Sequence, residues 1–324
     1  MPGFLFLRLL VERSRTTIVQ LKYFTTQRSK MFVKAIEEVG GYTRAIHTIG
    51  RIWGSERIAA GSSTLFFVNS DGWALTCAHV AKLFVDGQTI GEKFAAFKSE
   101  RGQIPQGKNQ RNALNQLERK YGYKPGETIE LHNRFLGCVE GSLNLDIKIH
   151  SSLDLALVKF NGFSKILCEN YPVFGRSGED LKQGMSICRL GFPFPEFTNY
   201  GYDAVSDSIG WTAGGQEGSP RFPIDGMLTR HVAEPGGKIV AFELSTPGIR
   251  GQSGGPAFGV DGRVWGMQSL TRHLDLDFDV DVEVQRGAKV RRVQDSAFLH
   301  VGGCIHIDAL KEFMRENGVR FAEG

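Results

Sequence analysis

Short β-forming runs closed by glycine turns constrain this chain more than any other feature. The clearest case is Thr64-Leu65-Phe66-Phe67-Val68 and Trp73-Ala74-Leu75-Thr76, which flank Asn69-Ser70-Asp71-Gly72. An Asp-Gly pair between apolar β-formers is a strong hairpin signal, because the turns that match strand twist need positive φ. Gly supplies 40 of the 324 residues, above the roughly 7% of average usage, and helical patterns are a minority. The same reading places strands at Leu143–Ile149, Ile187–Pro193, Ile239–Leu244, Pro256–Gly259 and Val264–Gln268, the last two joined by Val260-Asp261-Gly262-Arg263. Residues 274–284 alternate strictly, with Leu274, Leu276, Phe278, Val280, Val282 and Val284 on one face and Asp275, Asp277, Asp279, Asp281 and Glu283 on the other, which predicts an acidic ribbon. Residues 98–135 are polar and read as a surface excursion with one short helix near Asn112–Arg119. A closing helix runs from Asp308, its expected N-cap, to a stop at Gly318.

Within this β framework, Ser253 sits among glycines in Gly251-Gln252-Ser253-Gly254-Gly255-Pro256, downstream of Thr76-Cys77-Ala78-His79 and of Asp154-Leu155-Ala156-Leu157. A hydroxyl is a poor nucleophile near neutral pH unless a base takes its proton and N–H groups receive the charge that develops on the attacked oxygen. Glycine permits the positive-φ backbone that aims such N–H groups. Ser253, His79 and Asp154 therefore read as a catalytic triad. Asp154 is preferred to Asp146: Asp154 opens an apolar run whose burial obliges its carboxylate to find a donor, whereas alternation in Leu143–Ile149 turns Asp146 outward. Gly-x-Ser-x-Gly also matches the nucleophile elbow of α/β-hydrolases, but that fold needs alternating strands and helices and places Asp and His after the serine.

The formal charge of +4 resides in the N-terminal arm. Residues 1–30 carry six of the 39 Lys and Arg and one of the 35 acids, so the body is near neutral and no nucleic-acid partner is expected. Five widely spaced cysteines (Cys77, Cys138, Cys168, Cys188, Cys304), without a C-x-x-C pair, argue against a disulfide framework and structural zinc, and fit a reducing compartment. The remaining histidines show no ligand-like clustering, and no metal or cofactor is expected. No run of about 20 apolar residues exists to span a membrane. The arm, rich in Arg, Ser and Thr, has the composition of an organelle transit peptide; the plainer reading is an extension ahead of Met31, with a cytoplasmic protein.

The order His segment, Asp segment, Leu190-Gly191-Phe192-Pro193, then Thr246–Pro256 resembles trypsin-like serine endopeptidases of the chymotrypsin fold, in their disulfide-poor, HtrA-like bacterial branch without a PDZ domain, over roughly residues 55–318. The resemblance implies an all-β fold of two six-stranded antiparallel β-barrels with a C-terminal helix. On that mapping residues 1–50 form an arm, 51–165 a first barrel carrying His79 and Asp154 with the 98–135 insertion, 166–307 a second barrel carrying Ser253, and 308–324 the helix and tail. It also implies an oxyanion hole from the N–H groups of Gly251 and Ser253, and a substrate pocket bordered by Pro247, Ser269, Leu270 and Thr271. Pro247 leaves no carboxylate for a basic side chain and Thr271 narrows the mouth, so a small or medium apolar P1 residue is expected. Gln252 replaces the acid that pairs with a newly released N-terminus in digestive relatives, which argues against that activation route. The implied partners are polypeptide substrates, with a homo-oligomeric or regulatory contact at 98–135 or 274–284; the competing class is a silent protease fold that serves as a binding or chaperone module.

Overall fold

The computed structural model describes residues 31–287 and 289–324. The transit-peptide reading of residues 1–30 lies outside them. A helix α1 (Val33–Gly40) leads into the first sheet: β1 (Thr43–Ile52), β2 (Ile58–Phe67), β3 (Trp73–Thr76), β4 (Thr128–Phe135), β5 (Val139–Ile149) and β6 (Ala156–Ile166), in the order β4-β1-β2-β3-β6-β5. Every pairing in it is antiparallel. The Asp71-Gly72 turn is made as the sequence requires, with Gly72 at φ 90° and β2 pairing with β3.

The second half contains β7 (Val173–Phe174), β8 (Ser186–Gly191), β9 (Tyr200–Asp203), β10 (Ser208–Trp211), β11 (Phe222–Ala233), β12 (Ile239–Leu244), β13 (Pro256–Phe258), β14 (Val264–Arg286), β15 (Lys289–His306), a helix and β16 (Ala322–Glu323). Strands β13-β8-β11-β12-β15-β14 follow one another and the β13–β14 pairing closes them into a six-stranded barrel, with β7 and β16 added on the β14 side. Closure matters because it removes the open edges between these six strands. One apolar cluster crosses between the halves, from Leu65, Phe66, Phe67 and Leu157 to Leu190, Phe242, Phe258 and Met267, all fully buried. The expected all-β architecture of two six-stranded units is thus present.

Four local expectations change. The arm does not extend to residue 50, since β1 begins at Thr43 and pairs with both β2 and β4. The excursion begins earlier, with a 25-residue helix α2 (Ala78–Gly102) directly after Cys77, followed by α3 (Gln110–Tyr121); the end of the expected insertion, 128–135, is barrel strand β4. Glycines at 87 and 91 mask this helix in the sequence, yet they continue its buried stripe of Val80, Phe84, Phe94 and Phe97 at helical spacing. Gly87 serves close approach, because a Cβ there would stand 2.8 Å from the Leu131 carbonyl oxygen of β4. The outer end of α2 is held by Arg101, which bonds Asp207 at 2.8 Å, and Asp207 in turn bonds Arg51, paired to Glu130 at 2.6 Å.

The acidic ribbon is the distal part of the β14–β15 hairpin, but its alternation is interrupted: Asp277 adopts φ 55° and the register shifts between Asp275 and Asp279. One arginine of β15 serves two of its acids: Arg292 stands opposite Glu283 in register and is ion-paired to Asp281. Finally, α4 (Ile307–Glu316) is capped by the His306 ring, which accepts from the Asp308 N–H, while Asp308 lies in the first turn and accepts from Gly178 N–H at 3.2 Å. His273 and His300, set apart in sequence, meet across β14 and β15 with their Nδ1 atoms 2.5 Å apart.

Candidate active site

His79 and Asp154 are brought together by two neighbouring strands. β3 ends at Thr76 and hands the chain to α2, whose first turn carries His79; β6, paired with β3, is preceded by Asp154. Leu155–Val158 are fully buried, which anchors the aspartate at the mouth of the sheet. Its Oδ2 lies 2.8 Å and its Oδ1 3.0 Å from His79 Nδ1, and Oδ1 also accepts the His79 backbone N–H at 3.0 Å. The carboxylate therefore caps an otherwise orphan donor at the start of α2 while it holds the imidazole. Ser269 Oγ donates a further bond to Asp154 Oδ2 at 2.7 Å. Partial burial pushes the Asp154 carboxyl up, but the bonds from the His79 ring, from Ser269 and from the His79 N–H outweigh it and leave the group below the ordinary aspartate value. Asp146 is exposed and bonds Asn161, away from the site.

Ser253 reaches the same place from the second barrel. The loop before β13 is stapled to the first sheet by Thr64 of β2: Thr64 Oγ1 donates to Gly251 O at 2.7 Å and accepts from Phe192 N–H at 3.2 Å, while Thr64 N–H donates to Ser253 O at 3.1 Å. Gly254, at φ 86°, packs so closely that a Cβ would collide with Thr64 O and Thr76 Oγ1. Gly251 has φ 95°, and a Cβ would sit 2.5 Å from Phe192 O. Among the described residues the N–H groups of Gly251 and Ser253 donate to no protein acceptor, the state required of oxyanion donors. Gln252 is fully buried, accepts from Ile249 N–H at 3.2 Å through Oε1 and donates to Phe222 O at 3.1 Å through Nε2. It thereby ties the loop with neutral partners, where a carboxylate would need a cation.

His79, Ser253, Gly251 and Arg250 line one cleft of about 430 Å³, with Ser62, Leu83 and Pro193. A larger depression of about 620 Å³ lies further along β2; it contains neither His79 nor Ser253 but shares Thr48, Ala60 and Gly61 with the first. Within the cleft the Ser253 hydroxyl donates to Ser269 O at 3.3 Å and makes no hydrogen bond to His79.

The four residues expected to border the substrate pocket fare differently. Ser269 is buried and supports Asp154, a role its position in the sequence does not reveal. Thr271 Oγ1 donates to Gly248 O at 2.7 Å, tying β14 to the Ser253 loop. Leu270 and the Pro247 ring are exposed, and the Pro247 carbonyl accepts from Arg189 at 3.2 Å. Thr64 and Arg189 touch the Ser253 loop without any motif announcing them. Cys77 Sγ, with His79 and Asp154, could offer three donor atoms within 4.8 Å of one another. Burial, with Asp154 beside it, pushes the thiol well up, so Cys77 stays protonated and donates to Gln268 O at 3.3 Å, while the other two hold each other.

The trypsin-like peptidase domain family matches residues 63–267. No curated protein matches the chain. Among solved structures, the chain is similar to the HtrA-type protease AlgW with a tripeptide, at 10% identity and a TM-score of 0.43, covering 88% of this chain and 62% of that one. It is similar also to the active form of the Rv3671c protease from M. tuberculosis, at 11% identity and a TM-score of 0.44, over 90% of this chain and 86% of that one. The chain thus spans less than two thirds of the AlgW chain.

Proposed function

We propose that this chain, which belongs to the trypsin-like peptidase family and is a serine endopeptidase, cleaves peptide bonds with Ser253 as nucleophile, His79 as general base and Asp154 as the group that orients and stabilises it. The observation that carries this reading is the Asp154 carboxylate on His79 Nδ1, which leaves Nε2 as the acceptor in the cleft that Ser253 also lines. Ser253 Oγ rotates from Ser269 O toward His79 Nε2 and attacks the scissile carbonyl as its proton passes to the imidazole. Asp154 stabilises the imidazolium without taking the proton. The N–H groups of Gly251 and Ser253 receive the oxyanion, His79 returns its proton to the leaving amine, and water, activated by the same imidazole, hydrolyses the acyl-enzyme. The preference for a small or medium apolar P1 residue rests only on the missing carboxylate at Pro247 and the narrow mouth at Thr271.

The competing reading, a silent binding or chaperone module, draws on one observation: the serine hydroxyl is bonded to Ser269 O instead of to the base. Labelling with a fluorophosphonate separates the two. A covalent adduct on the native chain that vanishes in Ser253→Ala is expected, together with a loss of turnover of about a million-fold; a chain inert to the reagent with and without peptide substrate would be the silent module. Five free cysteines, four of them buried, support a reducing compartment such as the cytoplasm, and no helix among the described residues is long and apolar enough to cross a membrane. A homo-oligomeric or regulatory contact at residues 98–135 or 274–284 is proposed on the same footing.

A further inference from the structure

We propose that Arg189 is the specificity-determining residue of this protease, seating an acidic P1 side chain; the inference rests on the protease reading above and replaces the apolar preference. Arg189 lies on β8 and is fully buried. Its Nη2 donates to Thr246 Oγ1 at 2.6 Å, Thr246 O at 3.1 Å and Pro247 O at 3.2 Å, and its Nη1 to Gln268 Oε1 at 2.8 Å. Its Nε has no partner. All these acceptors are neutral, and among the described residues no carboxylate forms an ion pair with it. Glu243, the buried acid of this barrel, is already held by Arg230 and Arg272. A buried guanidinium whose hydrogen bonds all go to neutral groups, with the Asp225 charge reaching it from β11 but forming no direct ion pair, is costly to fold around and becomes an anion seat once a carboxylate reaches it.

Its position makes that carboxylate a substrate's. Thr246 and Pro247 begin the loop that ends at Ser253, and Gln268 immediately precedes the Ser269–Thr271 segment whose first carbonyl holds the Ser253 hydroxyl. Thr271 pairs with Gly302, and a Cβ on Gly302 would collide with Arg189 Nη1. The guanidinium therefore lies between two walls, the nucleophile loop at Thr246 and Pro247 and the β14–β15 pair at Gln268 and Gly302. The Thr271 bond to Gly248 O spans those two walls, so a bound side chain enters by parting it. Arg250, exposed in the cleft next to Ser253, adds positive charge at the rim.

The test compares P1 glutamate with its neutral isostere. Binding of N-acetylated tetrapeptides ending in Glu, Gln, Val or Lys to the Ser253→Ala chain is measured by calorimetry, and turnover of matching fluorogenic substrates on the native chain. Glu is expected to exceed Gln, Val and Lys by about ten-fold or more, the scale of a charge-assisted hydrogen bond, and the gap between Glu and Gln to close in Arg189→Gln. Equal binding of Glu and Gln, preference for Val or Lys, no binding by any of the four, or an undiminished Glu advantage in Arg189→Gln each overturns the assignment. If Arg189→Gln does not fold, the Glu–Gln comparison on the unsubstituted pocket decides alone. A Ser253-dependent fluorophosphonate adduct without Glu preference sinks the pocket assignment and leaves the protease standing; Glu-selective binding without an adduct does the reverse.

Discussion

The two halves of the site differ in readiness. The base half is assembled: His79 and Asp154 of the first sheet are joined to each other, and to Ser269 reaching over from β14, by hydrogen bonds of 2.7–3.0 Å, and the same carboxylate caps α2. The half built on the second barrel is held back, with the Ser253 hydroxyl on Ser269 O and Thr271 bridging the walls beside it. A base can be fixed in advance because its partner carboxylate is part of the fold. A nucleophile's alignment and a specificity pocket gain their full set of contacts only when substrate supplies them.

The comparison can be broken from its rigid side first. Asp154→Asn should retain the fold and lower kcat by about 10⁴-fold with little change in KM, because the amide favours the wrong imidazole tautomer; steady-state kinetics on a peptide substrate would show it, and a loss under ten-fold would mean that His79 needs no orienting partner. Next in size is Thr64→Val, which keeps the side-chain shape but removes the staple from Gly251 O and Phe192 N–H. Loss of about 1–2 kcal/mol of stability in urea titrations is expected, with a fall in kcat/KM of about ten-fold as the oxyanion loop loosens. An unchanged kcat/KM would show the nucleophile half to be positioned from within its own barrel.

The smallest effect is the most diagnostic. Asp154 is held below its ordinary value, so the stability it contributes is present above the unfolded-state pKa of about 3.9 and is lost as pH falls through the lower folded-state value. Ser269→Ala removes one of the bonds responsible and brings the two values closer together. The native chain should therefore lose stability more steeply than Ser269→Ala between about pH 4 and pH 2, with kcat at neutral pH changed by only a few-fold. Parallel urea midpoints for the two proteins across that window would remove Ser269 from the base half.

Much of this arrangement is legible in the sequence. The Asp71-Gly72 hairpin, the buried run after Asp154 and the paired glycines around Ser253 are local signals, each tied to a φ angle or to strand periodicity. Their order along the chain is what proposes His79, Asp154 and Ser253 as the triad. Helix α2 escaped because its buried stripe passes through Gly87 and Gly91, residues that weaken a helix in isolation and that only the nearby β4 backbone makes useful at position 87. The interrupted alternation at Asp277 escaped for a related reason: a single left-handed residue resets the faces of a strand without altering its composition.

The sequence by itself pointed to the proposed chemistry, since Ser253, His79 and Asp154 stand in local turns and at strand ends in the order that such a triad takes. Only the tertiary structure decided what surrounds that chemistry. Thr64, Ser269 and Arg189 are ordinary strand and loop residues in one dimension, 189, 16 and 64 positions from Ser253 by residue number. Their positions arise from strand pairing and barrel closure, which bring a hydroxyl under a loop, a second donor onto a carboxylate and a buried guanidinium against the back of the nucleophile loop. Such juxtapositions depend on long-range register, and no local periodicity encodes them.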